Sequence, residues 1–149
     1  METQKLDSLI TRYGEVYLFA TRKISSMITE HVMKDITIEQ YFAVRYLKKH
    51  GRCSASQLAE VCGVNRSAVT AMVDRLVAKG YVSRIRDDED RRMVYLDITE
   101  AGDQVYLRGE ERLRQLVESY LQELEESEIE AFVSIYEKIA TIISRNGGM

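Results

Sequence analysis

Between Arg66 and Lys79 the side chains sort by chemistry. Val69, Met72, Val73, Leu76 and Val77 recur at steps of one, three and four, which places them on one side of a helix. Arg66, Ser67, Thr70, Ala71, Asp74, Arg75 and Lys79 fall on the other. That second face combines cations, hydroxyls and small side chains. Cations pair with phosphate, hydroxyls bond base edges or phosphate, and small residues let a helix approach a groove closely. Arg66 has the reach for a guanine edge, while Arg75 and Lys79, further along, suit backbone phosphates. A merely solvated helix face has a similar composition, so the surrounding charge has to decide.

The chain has 149 residues and a formal net charge of −3, which by itself argues against an anionic partner. The distribution reverses that impression. Residues 45–92 hold eleven Lys or Arg against six Asp or Glu, a local balance of +5, so the remainder carries −8. A basic middle between acidic ends implies that the middle meets an anion and the ends do something else. Within it the run Asp87-Asp88-Glu89-Asp90-Arg91-Arg92 is too polar for any core. Its four acids would repel phosphate unless they point away, so the two arginines and not the whole run are expected to make contact.

Other chemistry is poorly framed. His50, Cys53 and Cys62 are near one another in sequence, but there is no C-x-x-C pair, and the remaining histidine, His31, lies in a separate helical stretch; no metal is expected. Two cysteines are too few for a disulfide framework. Cys53, beside Arg52 at an expected helix start, would have a lowered pKa if that charge reached it, which leaves a redox role for Cys53 or Cys62 as an alternative. Tyr13, Tyr17, Tyr41 and Tyr46 either line a small-molecule pocket or belong to the core. No nucleophile elbow, phosphate loop or metalloprotease pattern occurs, so neither an enzyme nor a cofactor is expected. The opening METQKLDSLITRYGEVY has no uninterrupted apolar stretch, so no signal or membrane span is placed there and a cytoplasmic protein is expected.

These residues need elements to hold them. Proline is absent, and apolar positions 6, 9, 10, 13, 16, 17, 20, 24, 27 and 28 mark a long amphipathic helix. Thr37-Ile38-Glu39-Gln40 and Ser54-Ala55-Ser56-Gln57 have capping-box spacing and open two further helices, the first ended by Gly51 and the second by Gly63. Asn65 caps the helix that carries the polar face, and Gly80 ends it. Two helices joined by a tight glycine turn outline a helix-turn-helix. Residues 81–86 and 93–98 are β-branched and aromatic and form a hairpin around the polar run. Thr99 starts another long helix, and Ser127-Glu128-Ile129-Glu130 is expected to cap the last. The order α-α-α-α-β-β-α-α describes a mostly α protein with a small β-hairpin wing, a winged helix-turn-helix between long terminal helices.

With these segments placed, the sequence resembles the MarR family of bacterial transcription regulators over nearly its whole length. The resemblance rests on Ser56-Gln57-Leu58-Ala59 leading into Asn65-Arg66-Ser67-Ala68-Val69-Thr70, followed by Val73-Asp74-Arg75-Leu76 and Lys79-Gly80-Tyr81-Val82-Ser83-Arg84. Asp90-Arg91-Arg92 and Leu96-Asp97-Ile98-Thr99-Glu100-Ala101-Gly102 continue it in the same order. It implies a single domain over 1–149, with 37–102 as the DNA-binding winged helix and 1–36 and 103–149 as dimerisation helices of a homodimer. It implies double-stranded DNA as partner, with Arg92, or else Arg91, entering the minor groove and Asp90 orienting the arginine. It further implies repression relieved by a small-molecule effector. A winged helix used only for protein interaction is the remaining alternative.

Overall fold

The computed structural model describes residues 1–147. Helix α1, Thr3–Met27, passes into a π-helical turn, Ile28–Val32, in which Met33 N–H donates to the Ile28 carbonyl at 2.9 Å. Helix α2, Ile38–His50, starts at the expected capping box: Thr37 Oγ1 accepts from Gln40 N–H, and Gln40 Oε1 accepts from Thr37 N–H, both at 3.2 Å. Helix α3, Ala55–Cys62, repeats the device with Ser54 and Gln57. It ends on Gly63, whose φ of 65° puts the backbone in the left-handed region that glycine enters without a Cβ penalty. Helix α4, Arg66–Ala78, follows, with the Asn65 side chain accepting from Ala68 N–H at 2.8 Å.

The wing contains one strand more than the sequence pattern shows. Strand β2, Val82–Arg86, and strand β3, Val94–Ile98, pair antiparallel with Arg84 opposite Leu96. A two-residue strand β1, Cys53–Ser54, pairs with β3 on its other side, giving the order β1-β3-β2. Two residues are too few to show a period of two, so this strand exists only through its partner. It clips the start of α3 to the sheet.

The core lies where α2, α3, α4 and the sheet meet. Leu47, Leu58, Leu76 and Leu96 are fully buried there with Val44 and Val69. Each leucine contributes about 2 kcal/mol of burial. Helix α5, Glu100–Leu121, joins this core through its first turns. Thr99 Oγ1 accepts from Gly102 N–H and donates to the Gly80 carbonyl at 2.6 Å, so one hydroxyl caps α5 and ties it to the end of α4. A Cβ on Gly102 would lie 2.1 Å from the Tyr81 carbonyl oxygen, which leaves glycine alone at that approach.

The described chain falls into two compact units, Met1–Leu113 and a second from Arg114 onward, so the division lies inside α5 and not at the edges of the winged helix. In the second unit, helix α6, Glu126–Arg145, has its N-cap two residues before the expected one. Glu125 and not Ser127 is its N-cap residue, because Glu128 Oε2 reaches back to accept from Glu125 N–H at 2.9 Å. Neither α1 nor α6 has a buried residue.

Candidate nucleic-acid interface

On α4 the apolar side is buried as expected: Val69, Met72, Val73 and Leu76 face the core and Val77 is half-buried. The opposite side is exposed, and Arg66, Ser67, Thr70, Ala71 and Asp74 line one shallow, open groove. Thr70 Oγ1 donates to the Arg66 carbonyl at 2.8 Å, so its hydrogen is held by its own helix while the residue stays exposed. Asp74, the one acid on this face, is paired with Arg84 from β2. That pair cancels a negative charge and fastens the wing to α4. Arg84 was not visible as a partner in the sequence, because only the β2–α4 packing brings it there.

Two of the expected cations differ in their commitments. The Arg75 side chain is exposed at the end of the polar face. Lys79 leaves that face: its Nζ donates to the Asp35 carbonyl and to Gln40 Oε1, each at 3.0 Å. The reason is positional, since Lys79 is the C-cap residue of α4, where the chain turns through Gly80 at φ 80°.

At the wing tip the acids turn inward on their own backbone. Asp87 Oδ1 accepts from Glu89 N–H at 2.9 Å, and Asp90 Oδ1 accepts from Arg92 N–H at 3.1 Å and from Arg92 Nε at 3.4 Å. The Arg92 side chain remains 93% exposed despite that contact. Arg91 is exposed beside it. The loop therefore spends two of its four carboxylates on turn geometry and presents two guanidinium groups.

The four tyrosines do not form one pocket. Tyr13 and Tyr17 stack on each other at 5.8 Å on α1 and are largely exposed. Tyr41 is 2% exposed; its ring fills the space left by Gly109, where a Cβ would lie 2.7 Å from Cε2, and its hydroxyl donates to Glu110. Burial, then the bond to Glu110, push its pKa well above the usual phenol value. Tyr46 is half-buried, its ring tilted against that of His50 at 4.4 Å, and it lines a cleft of about 470 Å3 with Phe42, Arg45, Val61 and Met72. Helical spacing could not separate these roles, since the tyrosines on α2 point to different neighbours.

The redox alternative for the cysteines is not favoured. Cys53 sits in β1 opposite Leu96, buried, and Arg52 turns away to pair with Asp97 at 3.5 Å. Burial raises the thiol pKa of both Cys53 and Cys62, so thiolate is scarce at both and a redox role is disfavoured. No helix among the described residues is long and apolar enough to cross a membrane.

Residues 36–94 match the model of the MarR family. Over 123 residues, 80% of this chain and 77% of the relative, the chain is 36% identical to the HTH-type transcriptional repressor MdtR of Bacillus subtilis (strain 168). The chain belongs to the MarR family. Among solved structures this MarR-family protein is similar to the transcriptional regulator BldR from Sulfolobus solfataricus, at 30% identity and a TM-score of 0.70, covering 97% of this chain and 99% of that one. It also shares its fold with a mutant of MarR from E. coli complexed with operator DNA, at 23% identity and a TM-score of 0.72 over 87% and 94% of the two chains. The chain is thus a DNA-binding transcriptional regulator of this family and not an enzyme.

Proposed function

We propose that this MarR-family regulator is a repressor that binds a pseudo-palindromic operator as a homodimer. The exposed polar face of α4 carries the reading, because its acid is neutralised by Arg84 while Arg66, Ser67, Thr70 and Ala71 face one open groove. In the major groove Arg66 donates to guanine acceptors, Ser67 and Thr70 bond base edges or phosphate, Ala71 permits close approach, and Arg75 holds a phosphate. Arg92, oriented by Asp90, enters the minor groove, with Arg91 on the adjoining backbone.

The homodimer is supported by what α1 leaves open. Ile10, Val16, Leu18 and Phe19 are more than half exposed on a helix with no buried residue. A soluble chain does not leave so much apolar surface in water, and a second copy supplies a matching surface by symmetry. Taken by itself, α6 exposes Phe132, Ile135, Tyr136 and Ile143 in the same way. Two-fold pairing sets two copies of α4 about one helical turn of DNA apart.

Release is assigned to a small-molecule effector in the cleft beside Tyr46, which lies against α2, α3 and Met72 of α4. To empty an occupied operator the effector must favour the unbound form by about 5 kcal/mol.

Selection of random duplex DNA on the purified protein at physiological salt tests the central claim. Enrichment of an inverted repeat bound by two copies is expected. Failure to enrich any sequence, with or without small-molecule additives, would leave the winged helix as a protein-interaction module instead.

A further inference from the structure

We propose that Lys79 is a positioning residue for operator recognition, fixing the end of α4 to α5 through the bend that joins the π-helical turn to α2. The inference rests on the reading of α4 as the recognition helix. Residues 33–36 of this bend form neither helix nor strand, with Val32 buried just before it and Ile36 buried at its end. From one direction Lys79 Nζ, at the C-terminal end of α4, donates to the Asp35 carbonyl and to Gln40 Oε1 at 3.0 Å each. From the other, Arg108 and Arg112, one turn apart on α5, approach the Asp35 carboxylate at 3.8 and 4.0 Å.

Gln40 makes the link more than a surface contact. Its residue is 3% exposed, and the same Oε1 that accepts from Lys79 also accepts from Thr37 N–H. A buried amide oxygen that loses a charged donor is costly to leave half-satisfied, so the Lys79 ammonium is held in place and withheld from phosphate. Two helices thereby share one residue: α4 holds the backbone of Asp35 and α5 holds its side chain. The tilt of α4 cannot change without disturbing the bend. Since discrimination of half-site spacing by a dimer depends on where each α4 points, this link sets spacing specificity without touching DNA.

The test uses the full-length protein, the duplex that the wild type selects, and the same duplex with extra base pairs between its half-sites. Lys79→Ala is expected to lose about tenfold in affinity for the selected duplex and to keep the wild-type salt slope. It should also discriminate less against the altered spacing. In the DNA-free protein, amide exchange should quicken in residues 33–37 and in the last turn of α4. Lys79→Arg should restore affinity, spacing discrimination and exchange, and Asp35→Asn should shift these three in the same direction, with little added effect on top of Lys79→Ala. A salt slope reduced by about one per subunit, with spacing discrimination and exchange unchanged, would make Lys79 a phosphate contact and overturn the proposal. Unchanged readouts throughout would overturn it too. Should Lys79→Ala not fold, the Arg and Asn variants decide by the same criteria. If the wild type selects no duplex, the DNA reading fails separately, and the exchange data alone decide whether the link exists.

Discussion

Helices α1 and α4 have amphipathic patterns of the same period but opposite outcomes. The apolar side of α4 is buried against α2, α3 and the sheet, and its polar side is left free. The apolar side of α1 has no buried residue, and Ile10 on it is 57% exposed. A periodic apolar stripe is therefore a demand for a neighbour and does not say where the neighbour comes from. In the winged helix the chain itself answers the demand through short, capped connections. At α1 a second copy is the proposed answer.

The comparison breaks most sharply at the closed side. Leu76 is fully buried on α4, and Leu76→Ala should cost about 2–5 kcal/mol of stability, read by urea denaturation at fixed protein concentration. A loss of a few tenths would mean that the core closes elsewhere. At the open side, Ile10→Lys places a charge on exposed apolar surface. It should weaken self-association by about 2 kcal/mol, seen by sedimentation as a shift to monomer, while the winged-helix core keeps its amide protection. An unchanged dimer would remove α1 from the interface.

Arg92→Ala should separate binding from folding. Its side chain is almost wholly exposed, so stability should move by less than about 0.5 kcal/mol. Operator affinity should fall several-fold and the salt slope by about one per subunit. The smallest expected effect is pH-dependent. Burial holds the Cys53 thiol above its ordinary pKa of 9.0, so the folded state binds a proton that the unfolded state loses first. The resulting stabilisation is complete below that value and is lost as pH rises through the higher folded pKa. Wild-type stability should therefore decline more than that of Cys53→Ala between neutral and strongly alkaline pH, and parallel declines would count against the burial argument.

Most of the winged helix was legible because its signals are local. Thr37 with Gln40, Ser54 with Gln57, and Asn65 with Ala68 all act across three residues, and the apolar stripe of α4 repeats within a turn. The final helix shows the limit of such reading, since Glu125 and Glu128 compete with Ser127 for the same start and nothing local ranks them. The tyrosines show another. Tyr41 and Tyr46 are five residues apart, yet one closes the contact with Gly109 and Glu110 while the other faces a cleft.

By itself the sequence determined the order of the six helices and the wing hairpin, the buried side of α4, the basic middle segment and the arginines of the wing, because spacing and charge are properties of a few adjacent turns. Only the tertiary structure decided that Asp74 is neutralised by Arg84, that β1 completes the sheet, that Cys53 is buried beyond easy ionisation, and that Lys79 reaches back to Asp35 and Gln40. These contacts join residues as many as 44 positions apart, and the energy of each depends on burial and geometry that no window along the chain contains.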